Sequence, residues 1–453
     1  MEINTAIVAG TGKSGISATN LLVKHGVKVY LFDENKDRDT DAIKEKTGNS
    51  ELVQIELGEL GADALSSSQL MVISPGIPVD APFTDVVRNA GIPIWSEIEL
   101  AYHYGRGKIA AITGTNGKTT TTALVGEIVK AHNAKTIVVG NIGIPYTELC
   151  DTTDEDSNTV AEISSFQLET VIDFHPNVSA VLNLTPDHLN RHYTFENYGN
   201  VKFSITKNQT MDDVAVFNYD DEHTRAMGEK AAAYCHVVYF SRLEKPAGGV
   251  YVDDGDIILE DGDRKINVLA LKDLKLLGAH NVENVLAAVG ISYYMGVPVD
   301  TIRDVATSFK AVAHRIEYVD TIDGVSYYND SKGTNPDAAI KGIQAMVAPT
   351  FLIGGGYDKG SEYDEWIEAF DGKVKWLVLI GQTAQKIADC AKRHGFNSII
   401  FEENLQDAVA YCHENAVDGD AVLLSPACAS WGQFDNYEQR GDMFKEYVRS
   451  YKE

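Results

Sequence analysis

One stretch, Thr113-Gly114-Thr115-Asn116-Gly117-Lys118-Thr119-Thr120-Thr121, limits the fold of this chain more than any other. It follows a short apolar run, Ile109–Ile112, and precedes a helix-like segment, Thr122 to Ala131, with apolar residues at Leu124, Ile128 and Val129. Strand, glycine loop and helix in that order can hold phosphate. Small residues let backbone N–H groups approach the oxygens, and the helix N-terminus adds positive potential. Gly114 through Thr120 are therefore candidate phosphate-binding residues. Lys118 can reach the β- and γ-phosphates, and a following Thr hydroxyl can sit on Mg²⁺. The match to GxxxxGK[ST] is incomplete, because Ile112 stands where the first Gly belongs. On this stretch alone, a Gly/Thr-rich turn between strand and helix stays open.

Glycine punctuates a second strand–helix junction. Residues 3–9 read as a strand, Gly10-Thr11-Gly12-Lys13-Ser14-Gly15 as a loop, and the chain to about His25 as a helix. A strand from Val27 to Phe32 then ends in Asp33. This spacing matches the dinucleotide-binding fingerprint. The fingerprint reports only a phosphate or ribose near a helix N-terminus, and the fold binds many nucleotides. A further strand, Leu70–Ile73, ends in the rigid turn Ser74-Pro75-Gly76-Ile77-Pro78, at the strand end where ligands of open α/β sheets sit.

At 453 residues the chain is too long for one ordinary core. The pattern pauses at 101–108 and again near 310–313. This divides the chain into an N-terminal Rossmann-like domain (1–106), a central mainly parallel α/β domain of phosphate-loop type (107–311) and a C-terminal Rossmann-like domain (312–453). Strands are expected at Thr136–Val139, Thr159–Ile163, Val178–Leu184, Val214–Phe217 and His236–Phe240 in the centre. In the last domain they are expected at 350–353, 376–380, 398–401 and 421–425. Residues 246–277 carry Gly and Asp clusters between short apolar runs and read as a small antiparallel insertion. Its acidic clusters lack EF-hand spacing and read as solvated turns. Asn335-Pro336 reads as a helix N-cap and first turn.

A net charge of −27 argues against nucleic acid or an anionic membrane as partner. The five cysteines show no CxxC and no metal spacing, as in reduced cytoplasmic proteins. The N-terminus does not look like a signal peptide, and no apolar run is long enough to span a membrane. A cytoplasmic monomer acting on small molecules is the expectation.

Two further segments carry chemistry. Glu162 closes an apolar run before Ile-Ser-Ser-Phe-Gln-Leu, and His188 lies in Asn183-Leu-Thr-Pro-Asp187-His188. Both stand at strand ends after the phosphate loop, on an edge that α/β sheets share with it. Carboxylates and hydroxyls suit Mg²⁺, and imidazole is a less common ligand. Taken singly, Glu162 and His188 also fit surface or capping roles, and Lys202 fits a solvated helix face.

In sequence order, Thr113–Thr120, Gly140-Asn141-Ile-Gly, Glu162-Ile-Ser-Ser-Phe-Gln-Leu, Asp187-His188-Leu, Lys202, His280-Asn281, His314-Arg315 and Asn329-Asp330-Ser-Lys332-Gly-Thr334-Asn335 resemble the elements of the Mur ligase family. These are the ATP-dependent amide-forming ligases of peptidoglycan precursor synthesis. The resemblance spans essentially the whole chain. The tail Leu424-Ser-Pro-Ala-Cys-Ala-Ser430-Trp431 through Gly441 is similar to that of the family's D-glutamate-adding member.

The resemblance implies ATP, Mg²⁺ at two sites, D-glutamate and UDP-N-acetylmuramoyl-L-alanine as ligands, and an acyl-phosphate intermediate. It implies Lys118 on the transferring phosphoryl group, Thr119 on one Mg²⁺, Glu162 and His188 on a second, and a carbamylated Lys202 that supports the metal. Asn284, Arg315 and Asp330 would contact ATP. Lys332, Thr334, Lys359, Ser430 and Tyr437 would receive D-glutamate. Lys13, Ser14, Asp33, Gly76 and Asn141 would hold the UDP-sugar substrate. ATP and amino acid would then belong to different domains, which implies closure during catalysis. Two departures stand out: Tyr437 replaces the usual Phe, and Trp431 is bulkier than the family's residue near D-glutamate. The alternatives are another Mur or folylpolyglutamate-synthase-like ligase, an NAD oxidoreductase resting on Gly10-x-Gly12-x-x-Gly15, and a non-catalytic nucleotide-binding module.

Overall fold

The computed structural model describes residues 3–141, 143–276, 278–310 and 312–452. Ile142 of the Gly140–Gly143 motif, Ala311 at the second expected boundary and the terminal residues 1–2 and 453 lie outside them. The chain forms two compact units. One comprises the chain up to Asp273 with Glu283–Thr307, and the other Leu274–Val282 with the chain from Ser308 onward.

The first unit holds two sheets. Strands β1 (Thr5–Ala9), β2 (Lys28–Asp33), β3 (Val53–Leu57), β4 (Leu70–Ile73) and β5 (Ile94–Ser96) form a five-stranded sheet in the order 3-2-1-4-5. Every pairing is parallel. Central strands such as Ala6–Ala9 and Leu70–Ile73 are apolar and buried, as expected where helices cover both faces. A Cβ on Gly15 would lie 1.8 Å from the Gly10 carbonyl oxygen, so only glycine lets the helix Lys13–Lys24 start this close to the loop.

The second sheet contains β6 (Lys108–Thr113), β7 (Thr136–Gly140), β8 (Asn158–Glu162), β9 (Val178–Val181), β10 (Val214–Asn218), β11 (His236–Ser241), β12 (Val250–Asp253), β13 (Asp256–Asp261) and β14 (Arg264–Ala270). Their order is 14-13-12-11-10-9-6-8-7. Within the expected insertion, residues 250–270 therefore extend this sheet, and Leu277 lies outside the described residues. β12 pairs parallel with β11, and only β12–β13 and β13–β14 are antiparallel.

Two buried carboxylates join the sheets of this unit. Glu97 accepts from the N–H and hydroxyl of Thr147 at 2.6 and 2.8 Å. Glu99 accepts the N–H groups of Ile172, Asp173 and Phe174. Both glutamates lie on the helix Glu97–Tyr104, just before the expected boundary at 106/107.

The second unit contains β15 (Glu317–Ile322), β16 (Val325–Asn329), β17 (Thr350–Gly354), β18 (Val374–Leu379), β19 (Ile399–Phe401) and β20 (Ala421–Leu424), ordered 15-16-20-17-18-19. All neighbours are parallel except the β15–β16 hairpin, which the sequence reading did not anticipate. Asn335 caps the helix Pro336–Ala345 by accepting the Ala338 N–H, with Pro336 in the first turn. Among the described residues no helix is long and apolar enough to cross a membrane. The five cysteines are buried and form no disulfide.

Candidate active site

In each sheet the chain reverses its direction of build at one central place, β1, β6 and the β16–β20–β17 group, and the candidate residues cluster at the C-terminal ends of those strands. This is where open α/β sheets bind ligands. The helix after β6 runs from Lys118 to His132, so it begins four residues earlier than the apolar pattern suggests. Its N-cap, Gly117, has φ +84°, and a Cβ there would meet Asn284 Oδ1 at 2.2 Å. Asn284 also accepts from the Thr121 hydroxyl at 3.3 Å. The predicted nucleotide residue Asn284 thus packs directly on the loop.

Asn183, not among the predicted site residues, holds the loop open. Its carbonyl oxygen accepts the Thr115 N–H. Its side chain accepts the Asn116 N–H at 2.8 Å and donates to the Asn116 carbonyl at 3.1 Å. Thr115 adds bonds to the Thr185 backbone and lies 3.1 Å from the Tyr198 hydroxyl. Asn183 falls inside the quoted Asn-Leu-Thr-Pro-Asp segment, but nothing local marks it as a loop strut.

Two ammonium groups meet inside this loop. Lys118 Nζ donates to the carbonyls of Gly114 and Thr115, both at 2.9 Å. Lys202, 1% exposed on the helix Phe195–Phe203, donates to the same Gly114 carbonyl at 2.8 Å and lies over the Tyr198 ring. Burial, reinforced by the charge of Lys118, pushes the Lys202 pKa well below that of an ordinary lysine.

β8 pairs with β6 so that Glu162 stands opposite Ile112, beside the start of the loop. Glu162 is buried and accepts from Asn141 Nδ2 at 3.1 Å, which unites a predicted metal residue with a predicted substrate residue. His188 is half-exposed, has φ +51° and pairs with Asp187 at 3.4 Å. Its ring packs on Phe166, four residues after Glu162. Thr119 and Thr120 occupy the first turn of the loop helix.

At β1, Asp33 accepts from the Thr11 N–H and hydroxyl, the Asn35 N–H and Arg38 Nε. Burial opposes ionisation there, but these donors outweigh it and hold the carboxyl below its usual range. Lys13 donates to the Gly143 carbonyl, reaching from the first sheet to the second. Ser14 is partly buried, and Gly76 lies in an open turn after β4. A cavity of about 580 Å³ flanks this region, lined in part by Thr11, Lys13, Asn20 and Asp151. It takes in Lys13 but not Ser14, Asp33 or Gly76.

The second unit assembles a separate group. Asp330, at the end of β16, accepts from the Ser425 hydroxyl at 2.7 Å and the Ile316 N–H at 3.3 Å. Burial raises its pKa to about 7, partly offset by Ser425 and by the charge of Arg315. Lys332 Nζ lies 5.9 Å from the Tyr437 ring centroid, and Lys359 Nζ 4.7 Å from that of Trp431. A backbone bond from the Tyr357 N–H to Ala429 places the Lys359 loop against the segment carrying buried Ser430. The Thr334 N–H donates to the Lys332 carbonyl.

Arg440 ties these pieces together. Fully buried, it donates through Nε and Nη2 to Ser331 Oγ and O, and through Nη1 to the Cys428 carbonyl. Sequence reading missed it because a lone Arg in an amphipathic helix looks solvent-facing.

A Gly-Lys-Thr loop at a helix start on one sheet and a group of lysines and hydroxyls on another fit a ligase that activates a carboxylate with ATP. Residues 4–96, 112–292 and 314–428 match the families described as Mur ligase MurD-like N-terminal domain, Mur ligase middle domain and Mur ligase glutamate ligase domain. The chain is 55% identical over 99% of both chains to a UDP-N-acetylmuramoylalanine--D-glutamate ligase of Lachnospira eligens. It is 50% identical to the protein so named in Lachnoclostridium phytofermentans, over 99% of this chain and 98% of that one. Among solved structures, it superposes on a UDP-N-acetylmuramate-alanine ligase MurC from Thermotoga maritima with TM-score 0.60 at 20% identity, covering 99% and 100% of the two chains. It superposes on a MurF ligase from the same organism in complex with ADP with TM-score 0.58 at 17% identity, covering 98% and 95%. The chain belongs to the Mur ligase family.

Proposed function

We propose that this chain joins D-glutamate to the L-alanine carboxylate of UDP-N-acetylmuramoyl-L-alanine, converting ATP to ADP and phosphate, in peptidoglycan precursor synthesis. Residues 1–106 would take the UDP-substrate, 107–311 ATP, and 312–453 the amino acid. The observation that carries the reading is the meeting of Lys118 and Lys202 on the Gly114 carbonyl beside Glu162, within a chain that matches D-glutamate-adding relatives over its full length.

A carboxylate is a poor acyl donor at neutral pH. Transfer of the γ-phosphoryl group of ATP turns it into an acyl phosphate, which the D-glutamate amine attacks to release phosphate. Positioning and charge neutralisation lower the barrier to the phosphoryl step. Lys118 swings from the loop carbonyls onto the phosphoryl oxygens, the backbone N–H groups of Gly114 through Thr120 cradle the phosphates, and Asn284 shapes the loop behind them. Arg315 and Asp330 take the nucleoside side. Lys332, Lys359 and the hydroxyls of Thr334, Ser430 and Tyr437 receive the two carboxylates of D-glutamate. Lys13, Ser14, Asp33, Gly76 and Asn141 take the UDP-sugar.

The donors suit Mg²⁺: the Thr119 hydroxyl and the buried Glu162 carboxylate offer hard oxygens, and His188 packs on Phe166, four residues after Glu162. When bound, Mg²⁺ neutralises the charge that develops on the phosphates. A protonated Lys202 does not fit that role. A Lys202 carbamate does, and the buried, largely desolvated amine is suited to add CO₂.

The test is phosphate release with ATP, Mg²⁺ and UDP-N-acetylmuramoyl-L-alanine, offering D-glutamate, L-glutamate, L-lysine and diaminopimelate separately. D-Glutamate is expected to be the strong acceptor. Preference for another amino acid overturns the specific reading.

A further inference from the structure

Two neighbouring helices of the second unit carry ligand-type residues one turn apart. Helix Asp364–Glu368 presents Asp364 and Glu368, and helix Ala384–Arg393 with its C-cap presents Cys390 and His394. An oxygen of Asp364, the sulfur of Cys390 and a ring nitrogen of His394 lie within 4.8 Å of one another. His394 Nε2 is 2.8 Å from Asp364 Oδ1, and its other nitrogen, Nδ1, is 3.7 Å from Glu368 Oε1. One ring nitrogen thus faces the trio while the opposite one faces a carboxylate that can fix the tautomer, the usual arrangement around a metal-bound imidazole. Cys390 is 2% exposed, whereas Asp364 and His394 keep an open side through which an ion can enter.

We propose that Asp364, Cys390 and His394 form a binding site for a Zn²⁺-class divalent cation, with Glu368 orienting His394. Thiolate, imidazole and carboxylate together select Zn²⁺ over Mg²⁺, and three protein ligands leave one place for water. Binding releases the Cys390 thiol proton to solvent as the sulfur–metal bond forms. Without metal, Arg393 neutralises the site, its Nη2 standing 3.3 Å from Asp364 Oδ1. It is largely exposed and free to swing aside. A second trio, Glu99, His103 and Asp173, carries no such role, because Glu99 already accepts three backbone N–H groups.

The site sits one residue from contacts that reach the amino-acid loop. Tyr363, just before Asp364, places its hydroxyl 3.2 Å from Cys428 Sγ. Thr383, the N-cap of the second helix, lies 3.2 Å from the same sulfur and accepts the Gly356 N–H. A bound ion therefore pins both supports of the segment that carries Ser430.

The experiment titrates the metal-free full chain with Co²⁺, then Zn²⁺ or Mg²⁺, following sulfur-to-cobalt charge-transfer absorption and thermal unfolding. One equivalent of Co²⁺ is expected to produce the band and raise Tm, with displacement by Zn²⁺ and not by Mg²⁺. Cys390→Ser abolishes the band, His394→Ala weakens binding at least tenfold, and Arg393→Ala tightens it. His394 is partly exposed, so its variant keeps the test decisive if Cys390→Ser fails to fold. Absence of a thiolate band, its persistence in Cys390→Ser, or unchanged affinity in His394→Ala overturns the proposal.

Discussion

Lys118 and Lys202 place their ammonium nitrogens on one acceptor, the carbonyl oxygen of Gly114, at 2.9 and 2.8 Å. Two like charges this close oppose each other, and the buried one yields. Lys202 is the partner displaced toward neutrality, by desolvation first and by Lys118 second.

Replacing Lys202 separates its chemical role from its structural one. Lys202→Ala is expected to lower phosphate release by about 10²–10³-fold, the range for losing a group that stabilises developing charge. Added short-chain carboxylates should restore part of the activity by taking the place of the carbamate. An inactive, folded variant that no carboxylate rescues argues against carbamylation.

The depressed Lys202 pKa also sets a sign for stability. Between its folded pKa and the ordinary lysine value the unfolded chain binds the extra proton, so this group makes stability rise with pH across that window. In CO₂-free buffer, where the amine is not carbamylated, Lys202→Met is expected to flatten that part of the Tm-versus-pH curve, measured by calorimetry against wild type. An unchanged slope counts against a desolvated amine.

Asp330 acts in the opposite direction. Its folded pKa of about 7 exceeds the ordinary 3.8, so the folded state holds a proton that the unfolded state has lost. Stability from this group is complete below about pH 4 and is lost as pH rises to 7. Asp330→Asn is expected to raise Tm relative to wild type at pH 8 and to leave it nearly equal at pH 4. A variant less stable at both values rules out the raised pKa.

Gly117→Ala forces a side chain into a φ of +84° and against Asn284 Oδ1. Backbone strain of about 1–2 kcal/mol per residue in the left-handed region adds to the clash. Binding of a non-hydrolysable ATP analogue, measured by calorimetry, is expected to weaken more than tenfold. Retained affinity would show that the loop can move away from Asn284.

Arg440 positions rather than reacts. Arg440→Lys keeps the charge and loses the forked donation that joins Ser331 to Cys428. KM for D-glutamate is expected to rise more than tenfold, with KM for the UDP-substrate nearly unchanged. Equal rises in both would indicate a global defect instead.

What the sequence determined by itself is chemistry that neighbours along the chain complete. The loop Thr113–Thr121, the Gly10–Gly15 turn and the Asn335-Pro336 cap are legible because each carries a local signature: a helix N-terminus, a close glycine approach, an N-cap hydrogen bond. Family resemblance carried the reading further, to Glu162, Lys202 and Asp330, without saying what they touch. Tertiary structure alone decided the partners. Asn183 supports the loop across 67 residues of sequence, and Arg440 reaches Ser331 across 109. The β15–β16 hairpin and the parallel pairing of β12 with β11 likewise depend on which strand edge is free once the sheets close. The physical reason is burial. A lysine at position 202 or an arginine at 440 is an ordinary helix residue until strand order and packing remove its water, and only then does its charge acquire a fixed partner.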